Sequence, residues 1–91
     1  MNIPTPPGAA HLADWVDENG DGTWGRYVRG TRRATAGVSI VLAGWQSADG
    51  AVEWHATVTA DGIQLEAAAL RKLAAAALDQ ADKLDQLIRQ S

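Results

Sequence analysis

Ninety-one residues, no cysteine and a formal net charge of −3 exclude a second domain, a disulfide framework and a cysteine-based zinc site. The charge sum also argues against a general nucleic-acid binder, and no apolar run is long enough to span a bilayer, so no membrane partner is expected. Its distribution is uneven, because Arg26, Arg29, Arg32 and Arg33 are half of the eight Lys and Arg residues.

Residues 1–8 hold all three prolines and Gly8, which predicts a disordered or polyproline-like tail ahead of a single α+β domain over 9–91. The same stretch has neither the basic nor the apolar region of a secretion signal, and a cytoplasmic location is the expectation. In residues 9–18, Leu12, Trp15 and Val16 stand at i, i+3 and i+4, the spacing of a short helix capping the core. An extended arm is the alternative. Asn19-Gly20-Asp21-Gly22 is turn chemistry and ends that segment.

The acidic turn also matches the start of a calcium loop. Asp17, Asn19 and Asp21 offer oxygens at positions 1, 3 and 5, and Gly22 falls at the sharp-turn position. Position 12 is Val28, where a bidentate carboxylate is required. The motif therefore reads as an ordinary turn, and no metal or cofactor is expected.

Three strands are predicted next, over 23–33, 37–46 and 51–59. Ser47-Ala48-Asp49-Gly50-Ala51 has the form of a type I turn closed by a left-handed glycine. Pairing Ser47 with Ala51 sets Gly44 opposite Trp54, Leu42 opposite Ala56 and Ile40 opposite Val58, all on one face with Val38 and Val52. The other face receives Val41, Ala43 and Trp45 with Glu53, His55 and Thr57, a mixed surface. Trp45 is its contact candidate, since large aromatics anchor interfaces.

Arg26, Tyr27, Arg29, Arg32 and Arg33 interleave basic residues with an aromatic, a pattern that can track phosphates and stack on bases. Strict alternation sends Arg26 and Arg32 to one face and Arg29 and Arg33 to the other, and a basic edge strand also protects against edge pairing. Glu53 and His55 share a strand face about 6–7 Å apart, with no nucleophile beside them. No catalytic residue is assigned.

The last element is a helix from about Gln64 to Arg89. Asp61 with Gln64 forms a capping box, or the helix starts nearer Glu66. At about 1.5 Å per residue it measures about 39 Å against about 30 Å of strand, an overhang of about two turns. Leu70, Leu73, Ala74, Ala77, Ala81, Leu84 and Ile88 make one stripe, widened by Leu78 and by Ala69, Ala76 and Leu87. This arc is wider than one sheet needs. Leu78, Ala81, Leu84, Leu87 and Ile88, together with Trp45, are the expected contacts of a two-fold homodimer or another protein partner.

The run Leu65-Glu66-Ala67-Ala68-Ala69-Leu70-Arg71-Lys72-Leu73-Ala74-Ala75-Ala76-Ala77-Leu78-Asp79-Gln80-Ala81-Asp82-Lys83-Leu84-Asp85 resembles the closing segment of small uncharacterised proteins of actinobacteria and their phages. Those chains end in a strand and an A-R-x-L-A-A-A-L-L-x-A-A-x-x-L-D type helix. Some carry an upstream W-C…H element. Trp15 matches its tryptophan, but Val16 stands where the cysteine falls, so no metal role carries over. The resemblance implies a bacterial, cytoplasmic setting and supplies no activity.

The expected fold is a three-stranded antiparallel sheet with one long C-terminal helix on one face, and a short N-terminal helix or arm at an edge or on the other face. The expected function is a non-enzymatic interaction or regulatory module, homodimeric through its helix and able to bind a host protein. The alternative is a nucleic-acid-binding protein using the basic first strand.

Overall fold

A computed structural model describes residues 3–90; Met1, Asn2 and Ser91 lie outside the described residues. Among them the elements are β1 (His11–Leu12), β2 (Val16–Asp17), β3 (Trp24–Thr35), β4 (Val38–Ser47), β5 (Val52–Thr59) and α1 (Ala67–Gln90). The chain is α+β, with five strands in one antiparallel sheet rather than three. β3, β4 and β5 are the three expected strands, while β1 and β2 both pair with the outer edge of β3.

Of the two readings of residues 9–18, the extended arm is the one observed, and the short helix is absent. The Ala10 and Ala13 amides donate to the Arg29 and Tyr27 carbonyls at 2.8 and 2.9 Å. An open β3 edge offers these groups ready partners, and a ten-residue segment cannot outweigh them with helix propensity. Residues 3–8, read as a tail, lie against the domain: Pro6 is buried and the Pro4 carbonyl accepts from Arg26 and Gln46.

The β4–β5 hairpin has the anticipated register, with Gly44 opposite Trp54, Leu42 opposite Ala56 and Ile40 opposite Val58. Its turn closes through Ser47 N–H to Ala51 O at 2.9 Å, and Gly50 adopts φ 93°. The β3–β4 connection is tighter. Ala36 and Gly37 both have positive φ, 52° and 78°, the signature of a type I′ turn.

β3 carries a bulge. Arg29 pairs with Ala43 and Arg32 with Val41, so Gly30 and Thr31 together face Leu42. The extra residue shifts the alternation beyond it. Arg26, Val28, Arg33 and Thr35 end on the face beneath α1, and Tyr27, Arg29 and Arg32 on the opposite face. The expected partition of the four arginines is thereby corrected.

The core is Val28, Val38, Ile40 and Leu42 under Ala76 and Leu87, with Leu73 and Leu84 half-buried. The helix turns Ala69, Leu73, Ala76, Gln80, Leu84 and Leu87 to the sheet, about a quarter turn from the expected stripe. The two-turn overhang is also absent. α1 begins at Ala67, the Leu70 amide donates to the Glu66 carbonyl at 2.9 Å, and Leu87 near the far end is buried against Gly8. Its 24 residues span about 36 Å, and the 12 residues of β3 about 40 Å.

Candidate functional site

Two surfaces hold the residues that sequence reasoning singled out. The first is the side of α1 turned toward β5. Asp79 pairs with Arg33 of β3 at 2.8 Å, and Lys83 and Gln86 border Thr31, which fixes that flank of the helix on the β3 side. The opposite flank carries Leu70, Ala74, Ala77, Ala81 and Ile88, and it leans toward β5. Leu70 and Ile88 are 54% and 53% exposed, and Leu78, on the outer border, is 68% exposed. Val58, on the helix side of β5, is 63% exposed although its register places it on the core face. One helix is too narrow to roof the whole sheet: α1 reaches β5, but Ala56 and Val58 along its later half stay exposed.

The partner contacts expected of the helix therefore divide. Leu78, Ala81 and Ile88 are exposed, and Leu84 is half-buried at the border. Leu87 is corrected: it belongs to the intramolecular core, where the close approach of Gly8 packs on it. Trp45 lies on the other side of the molecule.

That other side is the open face of the sheet, over which no element lies among the described residues. Tyr27 stands opposite Trp45, and Glu53 follows on β5. The next row is His11, Arg29, Ala43 and His55, and then come Arg32, Val41 and Thr57. Trp45 is half-buried because its indole lies on Gly25, where a Cβ would strike the ring. Tyr27, Arg29 and Arg32 are exposed, and Arg32 Nε donates to Ser39 Oγ at 2.8 Å, steadying that side chain along the surface. Ala43 is fully buried at the centre, between Arg29 and His55 across the strands and Val41 and Trp45 along its own.

Arg26 and Arg33 are engaged within the fold, on the face beneath α1. Arg26 is buried, donates from Nε to Gln46 Oε1 at 2.7 Å, and lies 4.6 Å above the Trp15 ring. Arg33 is paired with Asp79. Tyr27, Arg29 and Arg32 remain together. Sequence reasoning missed this grouping, and Gly30 inside a strand was the available signal of a bulge.

The acidic turn closes on its own backbone. Asp17 Oδ2 accepts from the Gly22 amide at 2.9 Å, and Asp21 Oδ1 from the Thr23 amide at 3.0 Å. The Thr23 hydroxyl and amide together hold the Asp21 carboxyl below its usual range. Among the described residues no cluster of His, Asp and Glu is able to hold a metal ion. A cleft between residues 3–7 and the end of α1 has Trp54 on its wall and Gln46 at its floor. The Gln46 amide is already bonded to Arg26, Pro4 and Gly50. Among the described residues no helix is long and apolar enough to cross a membrane. No family model, curated protein or solved structure matches the chain.

Proposed function

We propose that this chain is a non-enzymatic binding module that works as a homodimer, pairing through the flank of α1 that leans toward β5. The observation that carries the reading is the exposure of Leu70, Ile88 and Val58 on one side of the molecule, with Ala74, Ala77 and Ala81 between them. Contiguous apolar surface of this kind marks an interaction site in a soluble domain. Small residues along the middle of the stripe allow a second helix backbone to approach closely, and large ones at its ends fill the space where crossing helices diverge.

A two-fold axis near the middle of the stripe sets the helices antiparallel and pairs each surface with itself. Leu70 then meets Ile88 of the second copy. Arg71, on the outer border, comes beside the partner's Asp82 and Asp85, so the flanking charges are complementary. In this reading the protein is a small regulatory or accessory factor of bacterial or phage origin, acting in the cytoplasm by presenting its free surfaces to another macromolecule.

Sedimentation velocity tests the pairing. The expected species has twice the 9.6 kDa chain mass, and Ala77→Glu returns it to one chain mass with unchanged far-ultraviolet circular dichroism. A single-chain mass persisting to about 0.5 mM, well above micromolar association, overturns the proposal.

A further inference from the structure

We infer that the open face of the sheet is a binding platform for single-stranded nucleic acid, built from Tyr27, Trp45, Arg29 and Arg32. This site is on the other side of the sheet from the proposed dimer surface and does not depend on it.

Three observations converge on this ligand. First, two aromatic residues are cross-strand neighbours, Tyr27 opposite Trp45, with Cβ atoms about 5 Å apart. Trp45 rests on Gly25, so its indole lies along the sheet instead of standing up from it. A ring in that attitude offers its π-face, the surface on which a nucleobase stacks whatever its identity.

Second, charge on this face has one predominant sign. The chain as a whole carries −3, yet β3, β4 and β5 together contain four arginines and one acid, Glu53. Many of the acids lie in the connecting segments, including Asp14, Glu18, Asp21, Asp49 and Asp61. Arg26 and Arg33 are engaged on the covered side. Arg29 and Arg32 are the pair the bulge leaves on the open side; His11 stands beside Arg29, and His55 lies in the same row beyond Ala43.

Third, the aromatic and basic groups are ordered along the strands. Moving along β3 from the Tyr27–Trp45 pair, the face presents Arg29 and then Arg32. This sequence suits a chain that stacks its bases at one end and carries its phosphates over guanidinium groups further along. A protein surface meets the basic groups less well, because the aromatics and arginines form a narrow track and not a broad apolar patch with a polar rim. Duplex is disfavoured, since its bases are already stacked and hidden from Tyr27 and Trp45.

The test is fluorescence anisotropy of a labelled oligothymidylate of about 15 nucleotides, near the upper site size of one such platform. Saturable binding is expected at low salt, with a slope of log K against log salt near −1.4 for two phosphate contacts on a single strand. Arg29→Ala is expected to lower that slope to about −0.7, and Tyr27→Ala to weaken binding about tenfold. Trp45→Phe keeps a ring over Gly25 and should abolish most of the tryptophan quenching on binding. Arg71→Ala/Lys72→Ala, on the helix, should change nothing.

Three results overturn the proposal. One is the absence of an anisotropy change at several hundred micromolar protein, beyond the weak-binding range. Another is affinity and slope unaltered in Arg29→Ala/Arg32→Ala with native circular dichroism. The third is displacement of the oligonucleotide by polyglutamate as readily as by unlabelled oligothymidylate, which assigns the face to an acidic protein segment.

Discussion

Replacing Gln80 should unfold more of this protein than replacing any exposed residue of its helix. Gln80 is 1% exposed in the middle of α1, and it faces the bulge of β3. Its Nε2 donates to the Thr31 and Ile40 carbonyls at 2.9 Å each, and its Oε1 accepts from the Thr31 hydroxyl at 3.0 Å. The bulge is the reason. It sets two residues opposite one, and the Thr31 carbonyl and the nearby Ile40 carbonyl both come within reach of the helix. A primary amide has two donor hydrogens, and here it reaches both oxygens.

Gln80→Met keeps the length and approximate volume and removes all three bonds. At about 1 kcal/mol net for each, the loss is about 3 kcal/mol. A chain of this size is stable by roughly 5–14 kcal/mol, so the change removes a large share. The melting temperature should fall by about 12–24 °C. Gln80→Glu sets carboxylate oxygens against two carbonyls and should cost more at neutral pH. Burial raises that carboxyl's pKa, so its neutral form donates to one carbonyl; stability returns as pH falls through the raised folded-state value and is fully regained below the unfolded value. Urea unfolding followed by tryptophan emission reads both variants. A loss below about 0.5 kcal/mol for Gln80→Met, within the scatter of exposed substitutions, would refute the assignment of this amide as the bulge's hydrogen-bond partner.

Other expectations follow from the packing. Leu87→Ala should cost about 2–4 kcal/mol, and Leu70→Ala less than about 0.5 kcal/mol in dilute protein; equal losses by urea unfolding would mean the helix is seated differently. Gly8→Ala drives a Cβ into Leu87 at a positive φ of 85° and should destabilise by about 2 kcal/mol, read as a drop in urea midpoint. Ala36→Asn relieves a left-handed alanine in the type I′ turn and should raise stability by about 0.5–1 kcal/mol, seen as an upward shift in melting temperature.

The hairpin was fully legible because two independent signals agreed. Asp49-Gly50 fixed the turn, and the turn fixed a register in which Leu42 and Ile40 fell on one face with Val52 and Val38. Nothing comparable marked β1 and β2. Strands of two residues are too short to show a period, and Leu12, Trp15 and Val16 imitated a helix by spacing alone. In the fold Leu12 lies opposite Val28, Val16 opposite Gly25, and Trp15 beside Arg26, all along an extended edge. The helix itself was plain, but its rotation was not. Alanine is apolar on every side, so Ala74, Ala77 and Ala81 promised a core as convincingly as Ala69 and Ala76. The residue that would have set the phase is Gln80, and a glutamine reads as a solvent-facing position until the bulge beneath it is known.

The bulge also decides what the open face can do. In a regular strand Arg29 and Arg32 point to opposite sides, and neither face collects a basic pair. One extra residue between them brings both to the surface that carries Tyr27 and Trp45, and turns Arg33 inward to Asp79. Beside that extra residue, the Thr31 carbonyl and hydroxyl and the Ile40 carbonyl all bond one side chain of the opposite layer. Gln80 thus stabilises the fold at the place where the chemistry of the far face is set. An irregular strand persists in a thin core only when something compensates its lost bonds. Here the compensation comes from the helix, so the rotation of α1 and the grouping of the arginines are two consequences of one contact.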